Sequence, residues 1–180
     1  MPTDTGRKSR IRKLWTLAFS MATACAATSA GAQADATEIR GLAEVIDADI
    51  LKFGEQRVIL WGIDAPERRQ TCQLNGETWG CYDVAFRHLQ LLAGRGEVVC
   101  YFHGEPDPFG RRFGVCESGG EDLNAEMVKA GLALAYAAES DAYLEAMAEA
   151  ITAGIGLWQV GAQFEEPWEF RRRETPGGFR

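Results

Sequence analysis

The chain has 180 residues, 46% of them hydrophobic, and its 19 basic and 26 acidic side chains produce a formal net charge of −7. This length predicts one globular domain with its own hydrophobic core. The acidic balance argues against a protein that binds nucleic acid through a broad basic surface.

The first 34 residues have the pattern of a secretory signal peptide. Five basic residues precede an apolar run over residues 14–24, and Ala32-Gln33-Ala34 supplies a small-residue cleavage site. The run is shorter than the ~20 residues of a transmembrane helix, and Ala22 replaces the larger aliphatic residue that a lipoprotein at Cys25 would carry. We expect a mature protein that begins at Asp35, is periplasmic or secreted, and has no membrane span after cleavage.

Removal of this leader makes the protein more acidic. The leader carries five basic residues and one acidic residue, so the mature chain has 14 basic and 25 acidic residues and a net charge near −11. Long-range attraction to nucleic acid is therefore disfavoured, although a local site can still cut a phosphodiester.

The first half of the mature chain predicts strands followed by a helix. Apolar, strand-forming residues occupy 38–47, 50–53 and 57–63, with Gly54-Glu55 as a turn between the second and third segments. Residues 72–80 are polar, contain Asn75-Gly76, and predict a loop. Residues 82–92 have apolar side chains mostly at helical spacing and predict a helix that ends at Gly94.

The second half predicts two more strands and two more helices. The strands are expected over 98–102 and 112–116, and the helices over 123–130 and 141–153. Asp122 or Asn124 is available to cap the first of these helices. The segment from Pro167 onward, with the run Arg171-Arg172-Arg173, has no periodicity and predicts an irregular tail. Five strands and three helices indicate an α+β fold, a small closed β-barrel with flanking helices.

The turn after the third strand is the first candidate site. Asp64 and Glu67 are carboxylates three residues apart at the end of an apolar strand, and Pro66 stiffens the turn between them. Rigid carboxylates at a strand end are suited to hold a hard divalent cation and to orient a water molecule. The alternative is an ordinary polar turn.

Four cysteines remain after cleavage, which favours disulfides in an exported protein. Three pairings are possible from the sequence. A zinc site made of the four thiolates is the alternative, but the sequence contains no C-x-x-C spacing. The four residues are Cys72, Cys81, Cys100 and Cys116.

Two more motifs accompany the carboxylate turn: Val45-Ile46-Asp47-Ala48-Asp49-Ile50 upstream and Asp107-Pro108-Phe109-Gly110-Arg111 downstream. In this order and at these separations, the three resemble the staphylococcal nuclease (thermonuclease-like) family. Leu123-Asn124, Gly131-Leu132-Ala133 and Gly156-Leu157-Trp158 extend the resemblance. It implies an OB-like, five-stranded β-barrel with three flanking helices, in a domain of residues 35–180 whose core is about 41–168.

The resemblance also implies a calcium site and two catalytic residues. Glu67 would prepare the attacking water, and Arg111 would contact the phosphate and stabilise its developing charge. The alternatives are that the aspartates only cap turns and that Arg111 only pairs with Asp107. The implied calcium ligands are Asp49, Asp64 and the backbone carbonyl of Ala65. Exported bacterial relatives imply the disulfides Cys72–Cys81 and Cys100–Cys116.

The chain departs from the family pattern at three positions. Ile59 stands where the family has a second catalytic arginine, and Arg57 lies two residues earlier on the same side of the strand. Ala48 replaces a glycine of the metal-binding turn and Ile50 replaces a threonine. Loss of one charge-stabilising donor costs ~10²–10³ in rate, so weakened activity is expected. An Ile59→Arg substitution is expected to raise it, unless Ile59 is part of the core.

Two functions from different classes follow. The first is an exported, calcium-dependent phosphodiesterase (a nuclease, hence a hydrolase) acting on DNA or RNA, as a monomer. The second is a catalytically decayed binding or assembly module of the cell envelope. The chain resembles a nuclease-like protein found with rhizobial exopolysaccharide (succinoglycan) biosynthesis genes, and this resemblance implies a polysaccharide or envelope partner. Tryptophans that could stack on sugars, or instead pack internally, are Trp61, Trp79, Trp158 and Trp168.

Overall fold

A computed structural model describes residues 37–175, which form twelve strands, four α-helices and one short 3₁₀ helix at Gly156–Trp158. The helices are α1 (Cys81–Ala93), α2 (Leu123–Lys129), α3 (Leu144–Ala153) and α4 (Pro167–Glu174). The strands are β1 (Glu38–Gly41), β2 (Glu44–Asp47), β3 (Ile50–Phe53), β4 (Gln56–Leu60), β5 (Ile63–Asp64), β6 (Cys72–Leu74), β7 (Glu77–Trp79), β8 (Val98–His103), β9 (Arg112–Ser118), β10 (Glu121–Asp122), β11 (Leu134–Ala135) and β12 (Ala162–Gln163).

The main sheet has the strand order β1-β8-β9-β4-β3-β2, with β10 paired to β9. The β4–β9 pair is parallel and the other pairs are antiparallel. The two ends of this path, β1 and β2, are separated in sequence only by Leu42 and Ala43. One chain segment therefore borders both edges, which requires the sheet to curl.

The fold class is confirmed as mixed α+β, but two predicted details are wrong. Among residues 37–175 the hydrogen-bonded ladders follow an open path, and no ladder closes the predicted five-stranded ring. The predicted strand 38–47 is two strands, because the chain leaves the ladder at Leu42, whose side chain is exposed. The hydrophobic pattern of a sequence predicts which side of a strand is buried. It does not predict where one strand ends and the next begins.

The main hydrophobic core lies between the sheet, α1 and α2. Strand β4 contributes Val58 and Leu60, and α1 contributes Leu89 and Leu92. Ile59, between the two β4 core residues, is fully buried but belongs to neither hydrophobic cluster of the described residues. Because side chains alternate along a strand, Ile59 faces the opposite side of β4.

A second, smaller cluster supports the C-terminal helix. It contains Cys72, Cys81, Leu134 and Leu157, with Trp168 of α4 packed against it. The predicted irregular tail is wrong here, since residues 167–174 form α4 and the described residues contain four helices instead of three. The helix begins with a proline in its first turn, where the ring removes no helical hydrogen bond.

The predicted polar loop 72–80 is also ordered as strands. Strands β6 and β7 pair across Asn75 and Gly76, which both have positive φ (52° and 88°). Two successive positive φ angles match the twist of an antiparallel hairpin, and Asn-Gly is the pair that tolerates them best. Strand β12 adds a third strand beside β6.

Both disulfides implied by the resemblance are present, Cys72–Cys81 between β6 and α1 and Cys100–Cys116 between β8 and β9. The predicted signal peptide lies outside the described residues. Within residues 37–175, the helices are too short or too polar to span a bilayer.

The four tryptophans of the described residues pack internally. Trp61 contacts the rings of His103 and Phe113, and Trp158 contacts Phe164. Each tryptophan is half-buried, with Trp79, Trp158 and Trp168 packed against the second cluster. This packing favours the internal role over stacking on sugars.

Candidate functional site

Asp64 lies at the end of β5 and is fully buried. Strand β5 follows Gly62, whose φ of 78° allows the chain to reverse after β4. The Gly62 N–H donates to Oε2 of Glu139 (2.9 Å), and its carbonyl accepts from the N–H of Tyr136 (2.8 Å). These bonds fix the turn that positions Asp64.

Gln70 organises the turn that carries Glu67. The Glu67 N–H donates to Oε1 of Gln70 (2.9 Å), and the Gln70 N–H donates to the Glu67 carbonyl (2.7 Å). The Gln70 Nε2 donates to the carbonyl of Glu165 (2.6 Å), just before α4. Since Gln70 is 2% exposed, a buried amide joins the carboxylate turn to the approach of the last helix.

Arg171 of α4 lies on both carboxylates of the turn. Its Nη2 donates to Oδ2 of Asp64 at 3.0 Å, its Nη1 lies 3.4 Å from Oδ1, and Nη1 also pairs with Glu67. The Arg171 side chain is 14% exposed. A bidentate guanidinium–carboxylate pair of this kind is geometrically specific and stronger than a neutral hydrogen bond.

Burial and this ion pair shift two pKa values. Burial raises the pKa of Glu67, and attraction to Arg171 opposes this shift without cancelling it. Burial lowers the pKa of the Arg171 guanidinium, but hydrogen bonds and charge attraction from Asp64 and Glu67 outweigh it and raise the pKa. Arg171 therefore stays charged and holds Glu67 closer to its ionised form.

The upstream motif forms the turn between β2 and β3. The Asp49 carbonyl accepts from the N–H of Leu60 (2.9 Å), which fixes the turn to β4. Ala48 is 1% exposed and belongs to the core. Arg69 and Asn75 are the non-glycine residues with positive φ among those described, so Ala48 has negative φ and its position does not require glycine.

The downstream motif is a tight loop in which Asp107 positions Arg111. The Arg111 Nε donates to Oδ2 of Asp107 (2.6 Å), and the N–H groups of Phe109 and Arg111 donate to Oδ1 (both 2.9 Å). Burial raises the pKa of Asp107, but these hydrogen bonds outweigh it and lower the pKa. The guanidinium is thereby held in one orientation.

The three motifs meet at one cleft of about 130 Å³. Arg111 and Glu67 line it, with Ile59 at its side and Arg171 reaching it from α4. Asp64 is not among the lining residues but pairs with Arg171, and Ala65 is also outside the lining and is buried. The complete lining is Asp47, Asp49, Ile50, Ile59, Glu67, Arg111 and Arg171.

The chemistry of the donor set suits a hard cation. Calcium prefers oxygen ligands, which the carboxylates of Asp49 and Asp64 and the backbone carbonyl of Ala65 supply. The Arg171 guanidinium already balances the charge of Asp64. The part of the chain that the structure describes contains no group of three or more His, Cys, Asp or Glu residues arranged to hold a metal. Any bound cation would therefore depend on water or substrate for further ligands.

Three residues of this site region are missing from the sequence prediction. Arg171 belongs to the segment predicted as an irregular tail, Gln70 lies in no predicted element, and Asn124 enters the prediction only as a possible helix cap and as part of the family pattern. Asp122 is the cap, accepting from the Ala125 N–H (3.0 Å). Asn124 is buried instead, bonding the Trp61 carbonyl (2.9 Å) and the Cys116 N–H (3.1 Å). The one usable signal was Pro167 before a charged run, typical of a helix start.

Comparison with known families identifies the family of this chain. The family described as Staphylococcal nuclease homologue matches residues 57–160, which is more than half of the chain. The chain therefore belongs to the staphylococcal nuclease family.

Two curated proteins are similar to this chain in sequence. The chain is 31% identical to the Succinoglycan biosynthesis protein ExoI of Rhizobium meliloti over 129 residues, which are 69% of this chain and 67% of that protein. It is 34% identical to an Uncharacterized endonuclease of Haemophilus influenzae over 121 residues, which are 66% of this chain and 61% of that protein. The match thus spans less than two thirds of the Haemophilus protein.

Proposed function

We propose that the protein is an exported, calcium-dependent phosphodiesterase that acts as a monomer on DNA or RNA, with its site on a curled, OB-like sheet. The observation that carries the proposal is the shared cleft of Glu67 and Arg111, next to the buried Asp64. A carboxylate base and a phosphate-binding guanidinium in one small cleft are the parts that phosphodiester hydrolysis needs.

Each residue has a role that its surroundings support. Glu67 accepts the proton of the attacking water, which requires its ionised form. Arg111, fixed by Asp107, neutralises charge that develops on the phosphate. Asp49, Asp64 and the Ala65 carbonyl would hold calcium, which supplies positive charge to the phosphate when bound.

The test is calcium-dependent digestion of single-stranded DNA by protein purified from the periplasm. Glu67→Gln keeps the size of the side chain and removes the base, so cleavage should fall by about 10²-fold or more. Glu145→Gln, an exposed position on α3, is the matched control and should keep full activity.

Cleavage that survives Glu67→Gln would contradict the proposal, because another base or a contaminant would then be responsible. Recovery of the protein only from the cytoplasm would contradict the export part. Both outcomes can be read from the same preparation.

A second candidate is a binding or assembly module of the envelope in exopolysaccharide production. Its support is the similarity to a rhizobial succinoglycan biosynthesis protein, together with Ile59 in the cleft and the contacts of Arg171 with both carboxylates. In this case, deletion of the gene lowers exopolysaccharide, and a Glu67→Gln allele restores it fully. Loss of restoration by Glu67→Gln would favour the phosphodiesterase.

A further inference from the structure

The charge of the Asp64–Glu67 pair is already balanced inside the protein. Asp64 is fully buried, and an ionised carboxylate in that position requires a counter-charge or several hydrogen bonds. Arg171 supplies both, because its guanidinium contacts both oxygens of Asp64 and also pairs with Glu67. The Arg171 guanidinium is therefore a positive charge that the protein itself supplies to this site.

The guanidinium also contacts the Asp64 oxygens that a bound cation would use. Calcium binds carboxylate oxygens at about 2.3–2.6 Å. The two oxygens of Asp64 already face Nη1 and Nη2 of Arg171. Two cations on the same carboxylate repel each other, so the guanidinium must withdraw before a divalent ion can use Asp64.

The position of Arg171 is built into the fold by contacts other than the ion pair. Trp168, on the same helix, packs on Tyr136 with ring centroids 5.3 Å apart. The Gln70 side chain donates a hydrogen bond to the carbonyl of Glu165, two residues before α4, at 2.6 Å. Arg171 is thus presented to the carboxylates by an anchored helix.

From these contacts we propose that Arg171 is the internal cation of this site and that Arg171 and a divalent cation exclude each other from Asp64. The inference rests on the proposed function only in treating Asp64 as a ligand for calcium. Removal of the guanidinium should then strengthen calcium binding, although it removes a stabilising contact from the calcium-free protein. Competition between two cations is a coupling, and such couplings are reciprocal.

The experiment measures calcium binding by titration calorimetry on the periplasmic protein and its Arg171→Gln variant. The variant should bind calcium about 5- to 150-fold more tightly, the usual range of such couplings. Arg171→Lys should lie between the two, because an ammonium cannot bond both oxygens in the planar, bidentate manner. Arg172→Gln is the matched control, since Arg172 is on the same helix, is 68% exposed and pairs with Glu169.

Thermal unfolding provides an independent reading. Without calcium, Arg171→Gln should melt at a lower temperature than the parent, because the carboxylates lose their counter-charge. At the same calcium concentration, its melting temperature should rise more than that of the parent, since the stabilisation of the native state grows with the logarithm of ligand concentration over dissociation constant.

Equal or weaker calcium binding by Arg171→Gln would overturn the inference, as would equal tightening by Arg172→Gln or no binding in any variant. The proposed function fails separately, if Glu67→Gln does not affect cleavage. Calcium binding that tightens in Arg171→Gln without any DNA cleavage would retain the inference and reject the nuclease.

Discussion

Ile59 is a fully buried residue that belongs to neither hydrophobic cluster of the described residues. Its neighbours in the sheet are Ile50 on β3 and Phe113 on β9, and none of its surface is exposed. Its side chain faces the cleft that Arg111 and Arg171 also line. An arginine at position 59 would therefore enter a space that already holds two guanidinium groups.

This arrangement reverses the simple expectation for Ile59→Arg. We expect the substitution to lower the free energy of unfolding by at least about 2 kcal/mol, because a charge is buried beside like charges. In the Ile59→Arg/Arg171→Ala double variant the total loss should be smaller than the sum of the single losses by about 0.5–3 kcal/mol. Urea unfolding of the four proteins measures this cycle.

The apolar replacement Ile59→Met is the control, since it changes shape without charge and should cost less than about 1.5 kcal/mol. Additive losses in the cycle would show that positions 59 and 171 do not share a space. A stable Ile59→Arg protein with raised DNA cleavage would instead restore the expectation drawn from the family pattern.

Asp107 makes stability depend on pH. Its pKa is below the ordinary 3.8, because hydrogen bonds from the backbone and side chain of Arg111 outweigh the effect of burial. A carboxyl group whose pKa is lower in the folded than in the unfolded protein stabilises the fold. This stabilisation is complete at pH values above the unfolded-state pKa and is lost as the pH falls through the folded-state pKa. The contribution is thus present at neutral pH and absent in strong acid.

We expect Asp107→Asn to lower the free energy of unfolding by about 1 kcal/mol at pH 7, with the difference from the parent shrinking below about pH 4. Denaturant unfolding at several pH values measures the difference. Asp141→Asn, at an exposed position before α3, is the control. A difference that stays constant down to pH 2 would show that the charge of Asp107 is not involved.

At the level of elements, α4 depends on packing supplied by other parts of the chain. It has eight residues, and Pro167 is its one buried residue. Isolated helices of this length are unstable in water, so tertiary contacts must hold it. Those contacts come from the second hydrophobic cluster, which the Cys72–Cys81 bridge helps to form.

Removal of that bridge should therefore loosen α4 more than removal of the other one. We expect faster amide hydrogen exchange over residues 168–174 in the Cys72→Ala/Cys81→Ala variant than in Cys100→Ala/Cys116→Ala. Both double variants should lose about 2–4 kcal/mol of stability, so global unfolding alone does not separate them. Equal exchange of α4 in the two variants would show that the helix is held without the bridge.

For the whole molecule, the negative net charge disfavours the binding of nucleic acid, although two arginines line the cleft. After loss of the predicted leader the charge is near −11, from 14 basic and 25 acidic residues. Proteins that neutralise many phosphates lose ~10³–10⁵ in affinity between 50 and 200 mM salt. A chain that engages one or two phosphates, in a repulsive field, should behave differently.

We expect the affinity for a single-stranded oligonucleotide to fall less than about tenfold between 50 and 200 mM salt, because screening of the overall repulsion offsets the lost phosphate contacts. Fluorescence anisotropy in calcium measures the affinity. Arg111→Gln should flatten the salt dependence further. A fall of a thousandfold would reveal a basic surface that the composition does not predict.

The sequence alone determined the class of fold and most of its elements. Strand β3 matches its predicted range, and helix α3 begins three residues later than predicted. These elements follow from local hydrophobic periodicity, which is set by which face is buried. The ordered motifs around Asp49, Asp64 and Arg111 likewise indicated a family to which the chain belongs.

Only the tertiary structure decided how the site is completed. Arg171 reaches Glu67 and Asp64 across 104 and 107 residues of sequence, and no local pattern reports a pair at that distance. The helix that carries it is short and polar, so its own sequence predicts no helix strongly. The position of this helix follows from its packing on the second hydrophobic cluster, whose residues are distant in sequence. That packing brings the Arg171 guanidinium to the carboxylates of Asp64 and Glu67.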